Sequence, residues 1–155
     1  MSAMKKSLSI LEIHIDELLG EDATLVREAR KATELSYSPY SKFAVGAAIL
    51  LDNGEVLKGA NQENASYPVG ICAERSVIAM AQNLWPNVPV LSLAIAAKNS
   101  EGNFTEQYVT PCGMCRQTIA ELEKRYQRNV RILMCSAQKV AIVESINTLL
   151  PLGFS

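Results

Sequence analysis

The chain has 155 residues, 48% of them hydrophobic, 20% charged and 6% aromatic, with a formal net charge of -1. That is the size and mixture of one ordinary globular domain, able to bury roughly 68–70% of its unfolded surface without a disulfide or a metal to hold it together. The near-neutral balance argues against a dedicated binder of nucleic acid or anionic membrane, and the longest apolar run, Phe43–Leu51, is far short of the ~20 residues that cross a bilayer. Along the chain, Lys5 and Lys6 are followed by a segment that Glu12, His14 and Asp16 interrupt. No signal peptide is expected, and a cytoplasmic location is the default.

Leu8 to Ile15 nearly alternates apolar and polar, which predicts an edge strand with an irregularity at Leu11. His14 falls on its solvent face. Asp22 is placed to cap a helix running to about Ser36, with Leu25, Val26, Ala29, Ala32 and Thr33 on one face and Ser38-Pro39 closing it. Ala44–Leu51 reads as a buried strand, Asp52-Asn53-Gly54 as a hairpin turn, and Glu55–Ala60 as the returning strand. A loop from Asn61 to Gly70 leads to a helix over about Cys72–Asn83. Leu91–Ala97 carries no charge and fits a central strand. After a polar, turn-rich stretch, Tyr108–Thr110 ends another extended piece, and a helix follows from about Cys112 to near Tyr126. Val130–Cys135 is a strand, and a terminal helix is expected over Val140–Leu149. No repeat or linker divides the chain, so residues 1–155 form one domain. Strands alternating with helices predict a three-layer α/β/α domain, and the hairpin makes its sheet mixed.

There are four cysteines and one histidine. Without a secretion signal, thiols or metal ligands are the better reading than disulfides. Cys72-Ala73-Glu74-Arg75 and Pro111-Cys112-Gly113-Met114-Cys115 each fall at a predicted helix start. Free N–H groups and partial positive charge there favour thiolate, the form that binds metal. Cys72, Cys112 and Cys115 can therefore converge on one Zn²⁺, and three protein ligands leave a fourth position open, the mark of a catalytic zinc. Water in that position is hydroxide near neutral pH. Glu74, two residues after a ligand, lies near the metal without ligating it, suited to moving protons. Three thiolates and one Zn²⁺ also sum to a formal charge of -1. Arg75 is expected to compensate it by donating to the sulfurs, against the plainer reading of an exposed helix residue. Other readings stand beside these: a redox dithiol in Cys112–Cys115, a closed four-cysteine site that includes Cys135, and Glu74 as a surface acid in a first helical turn. Cys135, within an apolar strand, reads more simply as a buried free thiol.

The segments CAER and PCGMCRQ resemble the paired motifs of the zinc-dependent nucleoside deaminases, a class with Cys₃ or His/Cys/Cys ligands and a glutamate outside the coordination shell. Tyr37–Ala48, Asn61–Pro68 and the ending Leu149–Phe154 are similar to segments of the short cytidine deaminases. Residues 1–21, with their strand, lie outside that pattern as an N-terminal extension. The resemblance implies that Cys72, Cys112 and Cys115 hold one zinc per subunit and that Glu74 shuttles protons. It also implies that Asn61 and Glu63 bond the ribose hydroxyls, that Phe43 packs on the pyrimidine, and that the Ala73 N–H holds the base carbonyl. Phe154 would reach the site of a neighbouring subunit in a homotetramer with shared active sites. The activity implied is hydrolysis of cytidine and 2′-deoxycytidine to the uridines with release of ammonia, in pyrimidine salvage. The substrate is a free nucleoside, with neither nucleic acid nor membrane as partner. The alternatives are a deaminase of a related aminated base or of a polynucleotide, which needs a basic, aromatic track, and a non-catalytic zinc-binding domain. The basic run Lys124–Arg131 fits the end of a helix dipole as well as any partner.

Overall fold

Two uncharged runs, Ala44–Leu51 and Val90–Ala97, make adjacent interior strands of the sheet, since strands buried on both faces carry no charged side chains. The structure is a computed structural model that describes residues 8–155; Lys5 and Lys6 lie outside the described residues. Six strands are ordered β1-β6-β5-β4-β2-β3: β1 (Leu11–His14), β2 (Ala44–Leu51), β3 (Val56–Ala60), β4 (Val90–Lys98), β5 (Arg131–Cys135) and β6 (Lys139–Val143). Only β4 and β5 run parallel, joined by a crossover that carries helix α3 (Gly113–Tyr126). The other pairs are antiparallel, so the sheet is mixed as expected. Among the described residues, no helix is long and apolar enough to cross a membrane.

Period-two alternation divides the strands between two cores. Ile49, Leu93, Ile95 and Ile132 face α2 (Ala73–Leu84) and α3, where they meet Val77, Ile78, Ile119 and Leu122. Ala48, Leu50, Ala94 and Leu133 face α1 (Gly20–Ala32), where they meet Leu25, Val26 and Ala29. The second face is built of smaller residues, and α1 lies correspondingly close. A Cβ on Gly46 would stand 2.3 Å from the Ala29 carbonyl oxygen and 2.5 Å from the Thr33 nitrogen.

Four sequence expectations are corrected. Val140–Leu149 is not a helix: Lys139–Val143 is β6, followed by a short 3₁₀ turn at Ile146–Thr148. A short apolar run does not distinguish helix from strand by period. Here β-branched Val140, Ile142 and Val143, with a tight turn in which the Ser136 N–H donates to the Lys139 carbonyl, favour the hairpin. Asp22 does not cap α1, which starts two residues earlier. Its carboxylate instead accepts from the Arg131 guanidinium at 2.8 Å, tying α1 to β5. The N-terminal edge strand is present, but without an irregularity at Leu11. The register is continuous from Leu11↔Ile142 to His14↔Lys139, and the break in alternation falls before the strand starts. Tyr108–Thr110 joins no strand, although the Val109 N–H donates to the Cys135 carbonyl.

The approach of α1 to β2 generates a prediction. Gly46→Ala meets backbone atoms that cannot rotate away, so it should destabilise by about 3 kcal/mol, the upper end for overpacking. Urea unfolding monitored by circular dichroism checks this: the midpoint should fall with the slope unchanged.

Candidate metal centre and cleft

Helices α2 and α3 begin side by side, each capped by a cysteine in an extended conformation: Cys72 for α2 and Cys112 for α3. Neither thiol bonds its own helix N–H groups, so both sulfurs are free to turn outward. Cys115 follows one turn into α3 and is fully buried. The Sγ atoms of Cys72 and Cys112 are 3.7 Å apart, and those of Cys112 and Cys115 are 3.5 Å apart. Among the described residues these three form a group whose ligand atoms all lie within 4.8 Å of one another. Tetrahedral zinc with Zn–S bonds of ~2.3 Å requires sulfurs about 3.8 Å apart. The three thiols thus fit zinc with only small adjustment.

The charge state of the cluster follows from its hydrogen bonds. The Cys72 thiol is lowered to about 6, first by its hydrogen bond with Cys115, then by Cys112 and the charge of Arg75, with burial opposing. Cys115 is pushed up as the other member of that bond and by burial. Glu74 is 4% exposed. Burial raises its carboxyl to about 7; the Cys72 charge adds to this, while the backbone and Cys115 oppose it.

A cleft of about 480 Å³ opens above the sulfurs. It brings together Phe43, Asn61, Glu63, Ala73, Glu74, Cys72 and Cys112 from the expected set. Ala73 opens α2, so its N–H is among the donors that lack an acceptor within the helix. Cys115 lies behind the lining. Arg75 is half-buried on α2 and does not line the cleft. It forms no hydrogen bond to a sulfur among the described residues and acts on Cys72 through its charge. Phe154 does not line this chain's cleft. It is 85% exposed, and its carbonyl accepts from Gln117 Nε2 at 3.0 Å. Cys135 is buried on the α1 side of the sheet, with its thiol pushed up to about 12 by burial. His14 is exposed, and its Nδ1 accepts from the Asp16 N–H.

Two residues do more than the sequence suggested. Asn61 Oδ1 accepts from Ser36 Oγ at 2.6 Å and from the Val45 N–H at 2.9 Å, while its Nδ2 donates to the Phe43 carbonyl. Glu63 accepts from the Ser41 hydroxyl and from the N–H groups of Ser41 and Tyr40. The Ser41 hydroxyl bond is the main cause holding its carboxyl below the usual range. Together they brace the loop that carries Phe43. Sequence reasoning missed Ser36 and Ser41, whose bonds to Asn61 and Glu63 carry no local signal because those partners are 25 and 22 residues away. It also missed Arg116, whose Nε donates to the Pro111 carbonyl and Nη1 to the Leu149 carbonyl, each at 2.8 Å. Its position directly after Cys115 was the available signal.

Cysteine ligands delivered by two helix starts, with a sequestered carboxyl beside them on a three-layer mixed sheet, define a zinc-dependent deaminase class. Known proteins narrow it. Residues 19–130 match the family described as the cytidine and deoxycytidylate deaminase zinc-binding region, and the chain belongs to that family. It is 45% identical over 98 residues to a cytidine deaminase of Halalkalibacterium halodurans, covering 63% of this chain and 69% of that one. The crystal structure of cytidine deaminase from Burkholderia pseudomallei superposes with a TM-score of 0.74 at 33% identity, covering 88% of this chain and all of the other, 100%. That from Mycobacterium tuberculosis gives 0.68 at 32%, covering 88% and 98%.

Metal content tests the cluster directly. Cys112→Ala should purify without zinc, whereas Cys135→Ala, which removes only a small core side chain at a cost of about 1 kcal/mol, should retain it. Elemental analysis of both purified variants reads the difference.

Proposed function

We propose that this chain is a zinc-dependent hydrolase that converts cytidine to uridine and ammonia and also accepts 2′-deoxycytidine. The observation that carries the reading is the buried carboxyl of Glu74 beside three convergent sulfurs, at the floor of a cleft that no lysine or arginine among the described residues lines. A cleft without cations suits a neutral nucleoside. A nucleotide calls for a cationic clamp or a phosphate nest, and a polynucleotide for a basic track. When bound by Cys72, Cys112 and Cys115, zinc lowers the pKa of a coordinated water toward ~7 and so supplies the nucleophile.

The chain's own residues do the rest. The Glu74 carboxylate takes one proton of the attacking water as its oxygen adds to C4 and delivers it to N3; it then carries the proton of the new C4 hydroxyl to the amino group, so that the C4–N bond breaks, the C4 carbonyl forms and ammonia leaves. Phe43 packs on the pyrimidine face, and the Ala73 N–H donates to the base carbonyl. Asn61 and Glu63 meet the ribose hydroxyls with the capacity left over from bracing their loop: one remaining Nδ2 hydrogen of Asn61 and about one remaining lone pair of Glu63. Arg75 offsets the negative charge of the cluster. We further place the enzyme in pyrimidine salvage in the cytoplasm, as a homotetramer in which Phe154 enters a neighbour's cleft. Supporting this are large apolar side chains left open at the rim and tail, Tyr67 at 77%, Met114 at 60% and Phe154 at 85%, which a subunit contact would cover.

Two measurements test the reading. Ammonia release should be observed with cytidine and not with a short cytosine-containing oligonucleotide offered to the same preparation; turnover of the oligonucleotide would favour a polynucleotide deaminase, and neither would favour a non-catalytic domain. Glu74→Gln, folded and zinc-loaded, should lose at least ~10²-fold in kcat because an amide cannot carry the proton.

A further inference from the structure

The N-terminal strand lies ahead of the region shared with the family, residues 19–130, yet it bonds to Tyr108, the neighbour of the cleft-lining Val109. Register decides where it points. Glu12 stands opposite Ala141, and directly opposed residues project to the same face. Ala141 belongs to the core under α2 and α3, so Glu12 projects to the side on which the cleft is built. One carboxylate oxygen accepts from Lys139 Nζ at 2.6 Å and the other from the hydroxyl of Tyr108. The Tyr108 ring packs against that same core.

Tyr108 opens the segment that ends at Cys112. Val109 and Thr110 line the cleft, and Cys112 contributes a sulfur. The segment belongs to no strand or helix, so no ladder of hydrogen bonds holds it. Among the described residues, three isolated contacts hold Tyr108–Pro111: the Tyr108 hydroxyl to Glu12, the Val109 N–H to the Cys135 carbonyl at 3.0 Å, and the Pro111 carbonyl from Arg116 at 2.8 Å. The last two come from within the shared region or its immediate continuation; the first comes from the extension alone.

We propose that Glu12 is a positioning residue for the deamination reaction: by clamping the Tyr108 hydroxyl it fixes the Val109–Thr110 wall, making the N-terminal strand part of the active-site construction. This rests on the deaminase reading above. The clamp holds through the neutral range, since the Lys139 and Tyr108 hydrogen bonds keep the Glu12 carboxyl below its usual range. Burial, with the Glu12 bond and charge, pushes the Tyr108 phenol up to about 12.

The test compares Tyr108→Phe, Glu12→Ala, Glu12→Gln and the double variant Glu12→Ala/Tyr108→Phe, all zinc-loaded, by cytidine kinetics and by hydrogen exchange over 106–112. Tyr108→Phe keeps the ring in the core and loses only the hydroxyl. It should raise KM about tenfold with kcat within about threefold, the pattern of lost uniform binding, and should speed exchange at Val109 while β2 and β4 stay protected. Glu12→Ala should do the same, Glu12→Gln should keep KM and exchange close to those of the unaltered protein because its amide oxygen still accepts, and the double variant should be no worse than either Glu12→Ala or Tyr108→Phe alone. Kinetics and exchange like those of the unaltered protein in Tyr108→Phe, or a lowered melting temperature with KM unchanged, would overturn the proposal. If the unaltered protein fails to turn over cytidine, the functional reading falls by itself, and the exchange data still decide whether the clamp exists.

Discussion

Three thiols lie within 4.8 Å of one another because two helices start at the same place: the first turn of α3 presents the Cys112–Cys115 pair, and the start of α2 adds Cys72. The fold answers this by placing α2 and α3 on one face of the sheet with their N-termini adjacent. Everything else in the site is measured from that junction. Glu74 is buried because it sits one step inside α2 on the side that packs against the sheet. The cleft exists because the chain must loop away on both sides before each helix begins. Positive partial charge from both helix ends converges on sulfurs that must be ionised to work.

The floor and the walls of the cleft are built by different means. The floor is secondary structure, held by helix hydrogen bonds and by the Ile–Val–Leu core beneath it. The walls are irregular backbone. They are held by single polar side chains, most of them reaching over long sequence distances: Asn61 to Ser36 and Val45, Glu63 to Tyr40 and Ser41, Arg116 to Leu149 and, locally, to Pro111. A surface ion pair such as Lys31 with Glu28 contributes about 0–1 kcal/mol. The wall contacts act through geometry, since a small misplacement of a substrate contact costs far more in rate than in stability.

That division explains what could be read from the chain. Strands β2 and β4 were legible because an uncharged run between turn residues has few other outcomes. The cysteine cluster was legible because each ligand lies at a helix start that its own neighbours signal. The misreadings have a common cause in tertiary context. Val140–Val143 is a strand because β5 offers it an edge, and Asp22 leaves its own helix end because Arg131 lies within reach. The bracing by Asn61 depends on Ser36, and nothing near either residue announces the other. The clamp on Tyr108 was invisible for the same reason: Glu12 reads locally as the polar position of an alternating strand.

The position of β1 at the end of the sheet has a consequence for self-association. Strand β6 is apolar along its length after Lys139, and without a neighbour it would present unpaired N–H and C=O groups beside Val140, Ala141, Ile142 and Val143, the kind of surface on which other chains add strands. β1 occupies that edge with four residues and replaces it with one bearing Glu12 and His14. Charge and brevity are two of the ways in which sheets keep an outer strand from recruiting partners. A short amphipathic strand laid over an apolar one thus moves the sheet's vulnerable border outward, to a place where water can satisfy it.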